Sequence, residues 1–323
     1  MNTTARWIGL VLLATAGCGA PAEDDGAIDE STESVTVREG DYDLANAAGS
    51  GQPYVGVAVV GTRAYLAKGY EGLHVLDLRT MRVTARLWND RNNRRIPADG
   101  LQVIGRNQIL AYWQGKPLGS LDDNREMLFL NVFNTTSQTV TRTVSIDLTG
   151  TYENPRSPIN DLPSVEAHLN PTTNTLYVSF GHISQPDRLY AFPMPTGNAS
   201  LRLTSIPGAR TFTVENPHGV TVAGTTAWVP SSSQGLRAVD LTTGRASLRT
   251  SAIGYAVDIA VRNTTGFVAD HNGNLQVLDL TNGRVKATRE LPGFTDGLTL
   301  ANGSVFVVWR NGVSVFRDVW SGR

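Results

Sequence analysis

The sequence predicts an all-β chain folded as a six-bladed β-propeller, and three observations carry that prediction. First, one phrase recurs: "LQVLDLTNGRV" at 275–285, "LRAVDLTTGRA" at 236–246 and, more loosely, "LHVLDLRTMRV" at 73–83. Second, apolar and polar residues alternate with period two in short runs, and no segment of helical period reaches the roughly ten residues a helix needs. Third, the recurrence has a period near 40 residues, which suits four-stranded blades.

Aligned on the Asp of the phrase, the column reads Asp77, Asn131, Pro193, Asp240, Asp279 and Arg317. Units begin near residues 55, 99, 164, 217, 256 and 296. Each opens with a short apolar run, such as "VGVAVVG" or "VDIAVRN". A tight turn leads to a second run, often centred on an aromatic: Tyr65, Tyr177, Trp228, Phe267 and Phe306. A loop precedes the "LxVxDL" run. Turns such as "TTGR" and "TNGR" then lead to a more polar fourth run, such as "RVTARLW". Asp240 and Asp279 are placed to accept from backbone N–H groups two or three residues on, with Gly244 and Gly283 supplying a positive φ. A phosphate or cofactor loop is the rival reading of this phrase, and it is disfavoured because no helix N-terminus follows the glycine to receive phosphate.

The sixth unit, "DGLTLANGSVFVVWRNGVSVFRDVWSGR", holds three runs before the chain ends. An open sheet edge there calls for a fourth strand. "SVTVREG" (34–40) has the right alternation, so it is predicted to pair beside "VSVFRDV" (313–319) and close the ring. Seven blades are the alternative, because the spacings 99–164 and 164–217 are generous.

Loop lengths divide unequally. Turns between first and second runs and between third and fourth are tight ("GTR", "GTT", "ANGS", "TNGR"). The other connections are long: 89–99, 114–125, 149–164 and 181–188. The elaboration is therefore expected on one face, which is read as the binding face. The residues that open the first runs point to the channel mouth on that face: Asp99, Glu166, His168, His218, Asp258 and Asp296. Glu166 and His168, two apart, project to one side of their strand. Converging carboxylates and imidazoles suit a divalent cation such as calcium; the other reading is that they cap strand ends and bind channel water. Face-loop contacts are expected from Tyr70, Arg94, Arg95, His182, His271 and Trp309. Trp113 is either a further aromatic contact or core.

The N-terminus carries Arg6, then the ten-residue apolar run "WIGLVLLATA" (7–16), shorter than the ~20 residues that span a bilayer. "TAGCGAP" follows, with Cys18 the single cysteine of the 323 residues. The run resembles a bacterial lipoprotein lipobox, with Thr15 in place of the usual Leu. The resemblance implies a signal peptide over 1–17 and lipidation of Cys18. Gly19, where an Asp would signal retention, implies the outer membrane. Residues 18–33 form an acidic, small-residued linker, expected to be disordered, and 34–323 form the propeller domain. From residue 35 on, 27 bases stand against 23 acids, a net of about +4, too mild for nucleic acid.

"VGTRAYLAKGYEGLHVLDL" (60–78) resembles an LVIVD repeat, and "NPHGVTVAGTTAWVPSSSQGLRAVDLTTGR" (216–245) resembles a YVTN-type surface-propeller repeat. The likeness spans roughly 55–317, with Asn131, Pro193 and Arg317 departing from it. It implies a propeller, and it implies little about activity. HExxH, CxxC, P-loop and G-x-S-x-G motifs are absent. The expectation is a non-catalytic, lipid-anchored envelope propeller, monomeric and without a cofactor. It would bind an envelope protein or surface polymer through its long-loop face. The alternative is a metal-dependent, lactonase-like hydrolase using the channel acids.

Overall fold

The recurrent runs pair in sequence order as antiparallel hairpins, because each tight turn returns the chain beside the strand it left. The computed structural model describes residues 37–44, 52–115, 127–148, 164–181 and 187–317. The expected signal peptide (1–17), the whole expected linker (18–33) with Cys18, and His182 lie outside these residues. After β1 (Gly40–Asp43), blade one runs β2 (Gly56–Val60), β3 (Arg63–Ala67), β4 (Leu73–Asp77) and β5 (Arg82–Leu87) from the axis outward. Blade two is β6 (Gly100–Gly105), β7 (Gln108–Gly115), β8 (Met127–Asn134) and β9 (Thr139–Asp147). Blade three is β10 (Ser164–Asn170), β11 (Thr175–Gly181), β12 (Arg188–Pro193) and, after β13 (Ala199–Arg202), β14 (Arg210–Thr213). Blade four is β15 (Thr221–Ala223), β16 (Thr226–Pro230), β17 (Leu236–Asp240) and β18 (Ala246–Thr250). Blade five is β19 (Ala256–Arg262), β20 (Thr265–Asp270), β21 (Asn274–Asp279) and β22 (Arg284–Glu290). Blade six is β23 (Thr295–Ala301), β24 (Ser304–Trp309) and β25 (Gly312–Arg317), with β1 outermost.

The six inner strands touch in a closed cycle, β2 to β6, β10, β15, β19, β23 and back to β2. The protein is thus a six-bladed β-propeller, and seven blades do not arise. The surplus length of unit two goes into eight- and nine-residue strands and into the connections that follow them. The core lies between blades. Tyr65, Phe133 and Ile109 pack blade one on blade two, and Phe267 packs with Val305 and Val307 between blades five and six. Burying each such aromatic is worth about 1.5–3 kcal/mol.

The ring closes through the two ends of the chain, but the strand is displaced from the predicted 34–40. The ladder runs Gly40↔Val315, Asp41↔Ser314, Tyr42↔Val313 and Asp43↔Gly312. Val37, from the predicted segment, is buried in the core with Tyr54 and Phe306 and pairs with no strand. An outermost strand needs only backbone pairing, so apolar alternation was a poor guide to its register.

Two further expectations change. The turn-forming residue of blade two is Asn134, not Asn131. Asn134 Oδ1 accepts from the N–H groups of Thr136 and Ser137 at 3.0 and 2.9 Å. Asp77 does so from Arg79 and Thr80 at 3.0 and 2.9 Å, and Asp240 from Thr242 and Thr243 at 2.7 and 3.0 Å. Four residues on, Met81, Gln138, Gly244 and Gly283 take the positive φ. The elaboration is also not confined to one face. The third-to-fourth connection of blade three, on the tight-turn face, spans 194–209 and adds β13 in parallel beside β9 of blade two.

Candidate functional site: the channel mouth and the long-loop face

Inner strands converge at the channel mouth so closely that side chains are largely excluded. A Cβ on Gly56 would lie 2.9 Å from Gly100 Cα of the next blade, and one on Gly297 would lie 3.0 Å from Gly56 Cα. On Gly219 it would lie 2.8 Å from Val257 O. At Gly100 the obstacle is Tyr112, whose hydroxyl would be 1.9 Å away. Tyr112 is the cross-strand partner of Gly100, and its ring passes over the bare glycine to reach the channel. There it donates to Glu166 Oε2 of blade three at 2.6 Å.

Glu166 and Asp258 occupy the same column as these four glycines. Glu166 pairs with Ser179 and Asp258 with Ala269, as Gly56 pairs with Ala67, Gly100 with Tyr112 and Gly297 with Val308. Asp258 ties two blades. Its Oδ2 accepts from Leu298 N of blade six at 2.8 Å, and its Oδ1 from Ile259 N at 2.7 Å. One layer deeper, Gln102 clamps the backbone of Leu169, accepting from its N–H and donating to its carbonyl, both at 2.7 Å. His168 lies 3.5 Å from the Gln102 amide.

Three other carboxyls, Asp99, Asp258 and Asp296, thus lie in electrostatic reach of Glu166 at the mouth. Burial, then the adjacent Asp258 carboxyl, pushes Glu166 well above its usual range, against the Tyr112 hydrogen bond. Asp99 and Asp296 add to the rise. Burial lifts Asp258 to about 7, against its two backbone donors, and Asp99 to about 6, against the N–H of Gln114. Burial also raises Asp296, opposed by His271. It holds the His168 imidazole down at about 4, so that ring is neutral. The inner strands carry no lysine or arginine among the described residues except Arg262, at the far end of β19. The glycine-column pair Glu166 and Asp258 therefore gives up its protons above the usual carboxylate range. Among the described residues no three His, Cys, Asp or Glu side chains converge closely enough to share a metal ion.

His218 does not join the acids. It opens a row of rings over blades four to six on the long-loop face. His218 lies 6.0 Å from Tyr255, Tyr255 lies 5.5 Å from His271, and His271 stacks on Phe294 at 5.1 Å with 14° between planes. Tyr255 is 38% and Phe294 57% exposed, large values for aromatics. His271 Nδ1 stands 4.0 Å from Asp296 Oδ1, so the row ends beside the channel acids. Sequence reading singled out His218 and His271 and missed Tyr255 and Phe294. Both lie in the connections "IGY" and "PGF" that precede inner strands, a position where an apolar ring has no core to fill.

The other expected contacts divide. Tyr70 is 59% exposed and meets Trp113 edge-on at 5.4 Å. Arg95 is exposed. Arg94 is pinned to Asp90 and to the Val140 carbonyl. Trp309 is not a surface contact. It is buried at 6% exposure, because the two-residue β24–β25 turn lays its ring over Gly312, where a Cβ would come within 2.7 Å of it.

No protein-family model matches the chain, and no curated protein does. Among solved structures it is similar to the crystal structure of the computationally designed Ika8 protein, with 11% identity and a TM-score of 0.44 over 82% of this chain and 70% of the other. A likeness at that score bears no functional weight.

Proposed function

We propose that the chain is a non-catalytic, lipid-anchored propeller of the bacterial cell envelope. It binds an envelope protein or surface polymer through its long-loop face. The observation that carries this reading is the exposed row His218–Tyr255–His271–Phe294, drawn from three blades. Exposed aromatics of this size, preorganised by stacking and rimmed by Asp296, are the chemistry of an interaction surface. Membrane attachment rests on the lipobox-like "TAGCGAP": Cys18 carries the lipid, and Gly19 directs the chain to the outer membrane.

A metal-dependent hydrolase would draw on Asp99, Glu166, Asp258 and Asp296, with a divalent cation such as calcium. Asp258 already spends both oxygens on backbone N–H groups, and Glu166 holds the Tyr112 hydroxyl. These bonds favour a blade-stitching role for both acids.

The test is sedimentation of the full chain with isolated envelope fragments. Tyr255→Ser with Phe294→Ser should weaken binding at least about tenfold, while Cys18→Ser should release the chain from membranes in cells. Undiminished binding by the double variant would overturn the surface, and membrane retention of Cys18→Ser would overturn the anchor.

A further inference from the structure

A second site, away from the aromatic row and independent of it, lies between blades one and two. There the 88–98 connection roofs a cavity of about 350 Å³. The volume falls in the range of small-molecule sites. Its floor is the inter-blade face of β7–β9. Trp113 stacks on its cross-strand partner Phe129, centroids 5.1 Å apart and planes within 20°. Gly115 leaves room for that indole, since a Cβ there would fall 2.3 Å from Trp113 Cζ2. Next along the strand pair, Ala111 faces Asn131 and is too short to fill the space above it. The Asn131 carboxamide oxygen is taken by the Thr143 hydroxyl at 2.9 Å. Its amide N–H donors have no partner among the described residues.

The roof is built and positively charged. Asp90, itself 5% exposed, accepts from the N–H groups of Asn92 and Arg94, from Arg94 Nε and from Val140 N, all at 2.9–3.0 Å. Burial works to raise the Asp90 pKa, but those donors outweigh it and hold the carboxyl below its usual range, so it is ionised. It neutralises Arg94 and staples the loop to β9. Arg95 then remains over the cavity, with no ion-pair partner among the described residues. An apolar floor of two stacked rings, one amide donor and one uncompensated guanidinium match one ligand class. We propose that this cavity is a binding site for a small planar aromatic carboxylate. The ring lies against Trp113 and Phe129, and the carboxylate meets Arg95 and the Asn131 amide.

The test is calorimetric titration of the full chain with 2-naphthoate, with the uncharged 2-naphthamide and with acetate. Naphthoate should bind one-to-one with a Kd of about 1 mM or tighter, as its size allows. The amide and acetate should each bind at least about tenfold more weakly, because each lacks one half of the recognition. Arg95→Gln, on an exposed side chain, should leave the melting temperature unchanged and weaken naphthoate at least about fivefold. Asn131→Leu should also weaken it by filling the hollow. No binding of naphthoate at about 10 mM, equal binding of the amide, or wild-type affinity in Arg95→Gln would each overturn the site.

Discussion

Glu166 and Asp258 stand in one column of the ring, the column that glycine fills in the other four blades. The glycines let neighbouring inner strands approach backbone to backbone. The two acids reach into the resulting channel and bridge to other blades, Glu166 through Tyr112 of blade two and Asp258 through the backbone of blade six.

This arrangement makes stability depend on pH with a definite sign. A carboxyl whose folded pKa exceeds its unfolded one withdraws stability as pH rises from the unfolded value toward the folded one. Glu166 does so above its ordinary 4.5. Glu166→Gln keeps an acceptor for Tyr112 and removes the titration. Its melting temperature should exceed the parent's by about 2–4 °C at pH 8 and match it near pH 4. His168 acts oppositely, since its pKa of about 4 withdraws stability as pH falls below 6.5. That contribution is common to both proteins and cancels in the difference. A lower melting temperature for the variant at pH 8 would contradict the account.

Gly100 is required by Tyr112. Gly100→Ala should cost about 1–3 kcal/mol in urea denaturation, as overpacking does. Tyr112→Leu in the same chain should recover part of that loss. An unchanged midpoint for Gly100→Ala would mean that the ring does not cross the inner strand there.

Ring closure makes a graded prediction. A chain beginning at Gly40 keeps the β1–β25 ladder and, among the described residues, loses Val37, worth about 1.5–3 kcal/mol of burial, and the Arg38 carbonyl that accepts from the Tyr42 hydroxyl. A chain beginning at Gln52 exposes the β25 edge and should lose more, in one cooperative transition of the whole domain. Equal melting of the two truncations would remove β1 from the closure.

Asn134, placed by the structure in the turn column, should behave like Asp240 and Asp279. Alanine at any of the three should cost about 1 kcal/mol, read from urea midpoints. A neutral Asn134→Ala would return blade two to an unassigned turn.

The blade count, strand order and turn chemistry were legible because each rests on a local pattern that recurs: period-two alternation in all six units, and in four of them a side-chain acceptor ahead of a positive φ. Errors came where repetition stops. Unit two carries longer strands, so counting back from a loose match placed Asn131 where Asn134 belongs. β1 is short and polar and has no apolar stripe to reveal it. The channel acids were found from their place at the start of the first runs. The glycine column that gives them meaning needed the register between blades, and so did the meeting of Trp113, Phe129 and Arg95 around one cavity. Tyr255 and Phe294 come together only when three blades are side by side.

The most direct measurement is amide hydrogen exchange of the full chain with and without envelope fragments. Protection is predicted in the connections 251–256, 270–273 and 291–296, which carry Tyr255, His271 and Phe294. Protection confined to the opposite turns, 61–62, 241–244 and 280–283, would place the binding face on the wrong side of the ring and contradict the account.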